Sequence, residues 1–332
     1  MSAFKSLYHL YGNQTRPSAI IHPSNNSNIY LFYDSVHLLK NIRNNLLNVR
    51  RFFFPPFQFD QFFDDIDVPG GEISWKLFHD VHEQDELIPA HLRKAPKISN
   101  ETLHPGNNKQ NVSLALNVFD RTTSTAVIEY FPEKKDASEF LKLINTWWTI
   151  SNSKAQKNTN WRLGDAAVKG DSKPLFLRQF ADWVEEWQGA AHHFTLSAQT
   201  AHALVTTLRC TAHLIDDLLE EGYSFVMTAR FQTDPLERRF SKYRQMSGGR
   251  FLVSLREVQT TEKILTISSL LKEDVSFWEE DIQPDNNDSI YTRELNSELD
   301  KMSNDIDLCT PILQYLPFVE RAPVLVFIMC AI

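Results

Sequence analysis

Ile29-Tyr30-Leu31-Phe32-Tyr33-Asp34-Ser35-Val36-His37-Leu38-Leu39-Lys40-Asn41-Ile42-Arg43-Asn44 is the stretch on which the fold turns. Its first five residues are apolar and predict a short buried strand. Asp34 ends that run. Val36, Leu39, Ile42 and Leu46 then recur at helical spacing, so a helix follows directly. Lys40 and Arg43 sit off its apolar stripe. Asp34 has two readings. It is a good N-cap for the helix, and a carboxylate at the end of a buried strand can also project into a site and hold a metal.

Outward from this stretch, Arg50-Arg51 leads into a Phe-dense loop, Phe52 to Phe63, and Pro69-Gly70-Gly71 marks a boundary. The pattern beyond is mainly helical. Helices are expected near Glu72–Gln84, Gln110–Tyr130, Asp136–Ser151, Lys173–Gln188 and Ser197–Glu220. Trp147, Trp148, Trp183 and Trp187 fall at helical spacing and read as core. An apolar segment, Phe225 to Ala229, runs into Asp234-Pro235-Leu236-Glu237. Asp at the cap, Pro at the first helical position and Glu two residues later make a strong helix start. The same residues also put two carboxylates on one turn. Leu236, Phe240 and Tyr243 would form the buried face of that helix, Gly248-Gly249 would end it, and Ser254–Lys272 would continue as another.

The chain has 332 residues and a formal net charge of −8, from 34 Lys+Arg against 42 Asp+Glu. Residues 273–307 alone carry −10, so the remainder stands at +2. A general nucleic-acid binder shows basic excess, and here any such excess is local. Among the first 51 residues, Lys5, Arg16, Lys40, Arg43, Arg50 and Arg51 face one acid, Asp34. Lys40, Arg43, Arg50 and Arg51 with the Phe run could contact phosphates and stack bases, or could be a solvated helix face beside a packed loop. His79 and His82 share a helix face but show no third metal ligand. Cys210, Cys309 and Cys330 suggest neither a disulfide framework nor a zinc knuckle. Residues 1–30 show no apolar run of the signal-peptide kind, residues 282–303 read as a polar linker, and Val324–Ile332 is far too short to span a membrane.

Taken together these segments resemble P-element-like (THAP-domain) DNA transposases. Tyr33 to Asn44 resembles their second catalytic-aspartate motif. Thr233-Asp234-Pro235-Leu236-Glu237-Arg238-Arg239-Phe240, with Gly248-Gly249 after it, resembles their C-terminal catalytic motif. Lys109 to Ala115 and Asn145 to Asn152 resemble parts of their helical GTP-binding insertion domain. The resemblance covers roughly residues 20–260, in family order. It implies an α/β, mainly helical fold, in which an incomplete RNase H-like core is interrupted by an all-α insertion. Residues 1–68 and 196–272 would be the core, 69–195 the insertion, and 273–332 an acidic linker and tail.

The resemblance also implies a chemistry. Asp34 and Glu237 would be catalytic carboxylates and Mg²⁺ ligands, with Asp234 as an accessory acid. Lys109, Asn145, Trp148 and Thr149 would be the cofactor-binding residues for GTP. Thr149 stands where the family's guanine-reading aspartate would be. The family's first catalytic aspartate lies upstream of Asp34, yet residues 1–33 contain no Asp or Glu. The expectation is a transposon-derived chain corresponding to the later part of a transposase, nuclear, with DNA as partner. Its ancestral activity would be Mg²⁺-dependent DNA cleavage and strand transfer, not performed by this chain alone. The alternative is a non-catalytic DNA- or transposase-binding regulator, partnered by full-length transposase or by itself.

Overall fold

A computed structural model describes residues 19–21, 28–62, 65–157, 162–190, 194–250, 252–275 and 325–329. The chain divides into two units, Met1–Thr233 with Val324–Ile332, and Asp234–Pro323. The linker expected at residues 282–303 lies outside the described residues.

In the first unit, β1 (Ala19–Ile21) pairs antiparallel with β2 (Asn28–Tyr33). A strand from the far end of the chain, Leu325–Met329, lies parallel to β2 on its other side, with Tyr33 opposite Met329. The C-terminal apolar run therefore contains a strand of the sheet that carries Asp34. α1 (Ser35–Val49) starts immediately after β2, with Leu38, Leu39, Ile42 and Leu46 fully buried. It ends at Arg50, whose φ of 70° is left-handed. Such a turn is costly for a residue with a Cβ, but it closes the helix through the Arg50 N–H to the Leu46 carbonyl, 2.9 Å.

The Phe-dense segment is not a loop. It forms β3 (Arg51–Phe54) and β4 (Phe57–Phe59), which pair antiparallel with β6 (Gly71–Ser74) and β5 (Ile66–Val68) respectively. Side chains alternate across a strand, so Phe52, Phe54, Phe57 and Phe59 point inward while Arg51 and Phe53 point out. The ring of Phe54 stacks on Phe140, and Phe57 meets Phe176, Phe180 and Trp183 edge-on. The expected helix at Glu72 begins later, as α2 (Trp75–Glu86), because residues 71–74 are held in the ladder. Gly71 is required there: a Cβ would collide with the Asp136 carboxylate, which instead accepts the Glu72 N–H at 2.9 Å.

α3 (Asn100–Leu103) follows. The long helix expected over 110–130 is two, α4 (Val112–Val118) and α5 (Arg121–Tyr130). Asp120 breaks it by capping α5 through the Thr122 N–H, 2.9 Å, a side-chain competition that apolar periodicity does not register. α6 (Lys135–Ser151), α7 (Lys173–Ala190) and α8 (Ala198–Glu220) match their expected spans closely. They bury Trp147, Trp183 and Trp187 in one core with the Phe strands, while Trp148 is only partly covered. α8 also lies against β2, where Tyr33 and Thr207 exchange two hydrogen bonds of 3.0 and 3.2 Å.

Buried Asp85, at the end of α2, shows how this core pins its loops. It accepts the Lys94 N–H at 2.9 Å, the Ala95 N–H at 2.8 Å and the Tyr130 hydroxyl at 2.6 Å. Burial, then the Asp85 carboxylate, pushes the Tyr130 phenol up to about 12 from 10.0. The fold favours the neutral phenol, so this contribution is complete below pH 10 and fades as pH rises through about 12. Tyr130→Phe is expected to cost about 1–2 kcal/mol by urea unfolding. A difference absorbance titration of the two proteins should give a phenolate midpoint near 12, and a midpoint of an ordinary tyrosine would disprove the bond.

The second unit contains α9 (Asp234–Met246) and α10 (Leu255–Val275). Glu262 on α10 pairs with the Arg239 guanidinium and accepts the Tyr243 hydroxyl. Gly248 and Gly249, both at positive φ, make the turn. Ser254 and Glu257 exchange hydrogen bonds across the first turn of α10, a capping box. Phe240, expected to be buried, is 56% exposed. Arg239, Tyr243 and Glu262 bond across the two helices, and the Phe240 ring meets Tyr243 edge-on with centroids 5.7 Å apart. No described helix is long and apolar enough to cross a membrane.

Candidate functional site

Asp34 is 1% exposed, at the junction of β2 and α1. The cap and the projecting carboxylate both exist in one residue. Oδ1 accepts the Val36 N–H at 2.8 Å, which caps α1. Oδ2 accepts the Thr233 N–H at 3.3 Å and the Thr233 hydroxyl. Among the described residues no basic side chain pairs with this carboxylate. A desolvated carboxylate of this kind normally needs a cation or several donors. Here the donors are an N–H at a helix N-terminus, where the dipole favours negative charge, and one threonine.

His37, one turn into α1, is half-buried, and one of its ring nitrogens lies within 4.8 Å of an Asp34 carboxylate oxygen. His37 has no role in the motifs read from the sequence. The signal was the Asp-x-x-His spacing, which puts a cap and a third helical residue on the same end of the helix. In the sequence Thr233 is only the residue that flanks Asp234-Pro235-Leu236-Glu237. A carboxylate and an imidazole around a helix N-terminus are a partial donor set that fits a divalent cation.

The segment holding Thr233 is well anchored. The Thr228 hydroxyl bonds the Ile150 carbonyl and accepts the Ser153 N–H at 3.2 Å. The Ala229 N–H reaches the Ser153 carbonyl at 3.1 Å. Phe231 stacks on Phe32 with ring centroids 5.7 Å apart, and Gln232 reaches the Ser151 carbonyl at 3.3 Å. Six residues thus run from the end of α6 to the Asp34 carboxylate, with the Thr228, Gln232 and Thr233 side chains all hydrogen-bonded.

Glu237 is exposed on α9, in the second unit. Asp234 opens α9, and its side chain, like that of Leu236, lies outside the described residues. The proposed phosphate surface on α1 does not form. Lys40 is 7% exposed and Arg43 is 0% exposed. α1 packs against α8 on one side and against α4 and the Gly106–Gln110 turn on another, so positions off the apolar stripe are covered too. The Arg43 guanidinium bonds the Lys109 carbonyl at 2.8 Å, and burial lowers its pKa. Arg51 sits 3.6 Å from Glu72. His79 faces His104 at 5.0 Å between ring centroids, whereas His82 faces Glu86, so the two histidines do not converge.

Trp148 and Thr149 line a cleft of about 220 Å³ with Asn152, Lys154, Ala155 and Gly164. Asn145 and Lys109 do not line it. The Asn145 amide donates to the Phe119 carbonyl at 2.7 Å, and the Thr149 hydroxyl donates to the Asn145 carbonyl at 2.8 Å. The Asn152 side-chain amide oxygen, Oδ1, accepts from the Gln232 amide at 3.2 Å. The Lys109 side chain is exposed on its turn. The cleft falls below the roughly 300–1,000 Å³ usual for small-molecule sites, and among the described residues no carboxylate lines it. Of the four residues named for GTP, Trp148 and Thr149 share this cleft.

No family model and no curated protein matches this sequence. A solved structure does match in fold: the Drosophila P element transposase strand transfer complex, at a TM-score of 0.62 and 18% identity. The alignment covers 79% of this chain and 57% of that one, so the chain spans little more than half of that structure's length. Across 79% of its residues, then, this mostly helical chain shares the fold of part of a P element transposase.

Proposed function

We propose that this is a P-element-like, transposase-derived, DNA-binding protein whose Asp34 belongs to a divalent-metal site with Glu237, and Asp234 as accessory acid. The single observation behind this is the Asp34–Thr233 bond. It ties the carboxylate at the end of β2 to the residue immediately before Asp234-Pro235-Leu236-Glu237. The fold shared with a transposase supports the same reading. Mg²⁺ held there would supply Lewis acidity to a phosphodiester oxygen. The chain's own part is to fix Asp34 through the cap and Thr233, and to offer His37 beside it. On this reading the core is RNase H-like, the 69–195 region is its helical insertion, and the protein works in the nucleus.

A specific observation favours the regulatory form of this reading. Residues 1–33 contain no Asp or Glu, so no side chain there can serve as a further carboxylate. The chain alone would bind DNA, or full-length transposase, without cutting. The test is thermal unfolding with and without Mn²⁺ or Mg²⁺, beside a plasmid-nicking assay. A metal-dependent rise in Tm, lost in Glu237→Gln, with no nicking, is the expected result. No rise in Tm for the wild-type chain would sink the metal site, and nicking abolished by Glu237→Ala would sink the regulatory form.

A further inference from the structure

We propose that the α9–α10 hairpin, through exposed Lys242, Arg244, Arg256 and Lys263, is the surface that holds the DNA backbone. This rests on the DNA-binding reading above and relocates its contact surface, because Lys40 and Arg43, nominated from sequence, are buried.

Between Arg238 and Lys263 the chain has seven basic residues and two acidic ones. Both acids are consumed inside the hairpin. Glu262 is engaged by Arg239 and Tyr243, and Arg239 holds its carboxyl below the ordinary range, so it stays ionised and paired. Glu257 is engaged by Arg250 and by the Ser254 N–H and hydroxyl. A net charge of +5 is left on 26 residues (7 − 2, positions 238–263) of a chain that carries −8 overall. Lys242, Arg244, Arg256 and Lys263 all face solvent, and no described carboxylate pairs with them. Arg256 and Lys263 are seven positions apart, so they share one stripe of α10 roughly 10 Å long. The two ion pairs and the capping box fix the helices that carry these cations, which lowers the entropy cost of presenting them to a polyanion. Phosphate contact of this kind is independent of base sequence and strongly salt-dependent.

The complementary charge on the page is a nucleic-acid backbone, but the chain's own acidic stretch, residues 273–307, is a rival occupant. Fluorescence anisotropy of the full chain with a labelled 30-base-pair duplex of arbitrary sequence, from about 0.05 to 0.3 M salt, separates the cases. The quadruple variant Lys242→Gln, Arg244→Gln, Arg256→Gln, Lys263→Gln should lower the slope of log K against log salt by about 3–4. A variant with the same charge change at Lys94, Lys97, Lys134 and Lys142, which are all ion-paired in the first unit, should keep the wild-type slope. If the wild type binds and the hairpin variant keeps its slope, the hairpin assignment is wrong while the DNA reading stands. If neither the wild type nor a variant with the acids of 273–307 changed to amides binds DNA, both fail. If binding appears only after the acids of 273–307 are changed to amides, the surface belongs to that stretch and the proposal is overturned.

Discussion

Replacing Asp34 with alanine is expected to lower stability by about 2–4 kcal/mol, by far more than a surface carboxylate would. The cap on α1 contributes about 1 kcal/mol. Removing it also takes away the carboxylate that the buried Thr233 N–H and hydroxyl donate to, and a hydrogen bond to a charged group contributes about 1.5–3 kcal/mol. Against that stands the relief of a desolvated carboxylate, which offsets part of the loss. Asp34→Asn separates the two roles. Its amide oxygen can still accept the Val36 N–H, so most of the stability should remain, whereas the metal-dependent rise in Tm should vanish. Urea unfolding of both variants, with and without Mn²⁺, gives the four numbers needed. An alanine variant within 0.5 kcal/mol of wild type would show that the Thr233 contact carries no weight.

Trp187→Ala should be more damaging still, at about 4–5 kcal/mol. The indole is fully buried among Phe52, Phe140 and Trp183, with centroids at 5.2, 5.7 and 5.1 Å. Its N–H donates to the Phe53 carbonyl, so truncation opens a cavity and also frees a strand carbonyl of β3. Each aromatic pair adds about 0.5–1.5 kcal/mol beyond area burial. Trp148→Ala is the comparison. That indole lines the open cleft, so its loss should cost no more than about 1–2 kcal/mol. Equal losses in the two variants, measured by denaturant midpoint at constant m, would contradict the core as described.

Both predictions depend on features legible to different degrees in the sequence. α6, α7 and α8 were readable because their buried residues follow the helical period without interruption. The break at Asp120 was not, because one side chain outcompeted the helix for a backbone N–H. The Phe run was misread as a loop. Its period of two at Phe52/Phe54 and Phe57/Phe59 was present, but strands of three and four residues give too few repeats to stand out. The fates of Lys40 and Arg43 were unreadable, because whether an off-stripe position is solvated depends on what packs beside the helix.

By itself the sequence determined the strand–Asp34–helix junction, the tryptophan-rich helices, and the concentration of negative charge in residues 273–307. These follow from local patterns in which neighbours along the chain are neighbours in space. Only the tertiary structure decided that a strand from residues 325–329 completes the sheet beside β2. The same holds for the Thr233 hydroxyl reaching Asp34 across 199 positions, for the burial of α1's cations, and for the exposure of the hairpin's. Those outcomes rest on contacts between segments far apart in sequence. Burial, and with it the chemistry of each charged side chain, is a property of the packed neighbourhood and not of the residue.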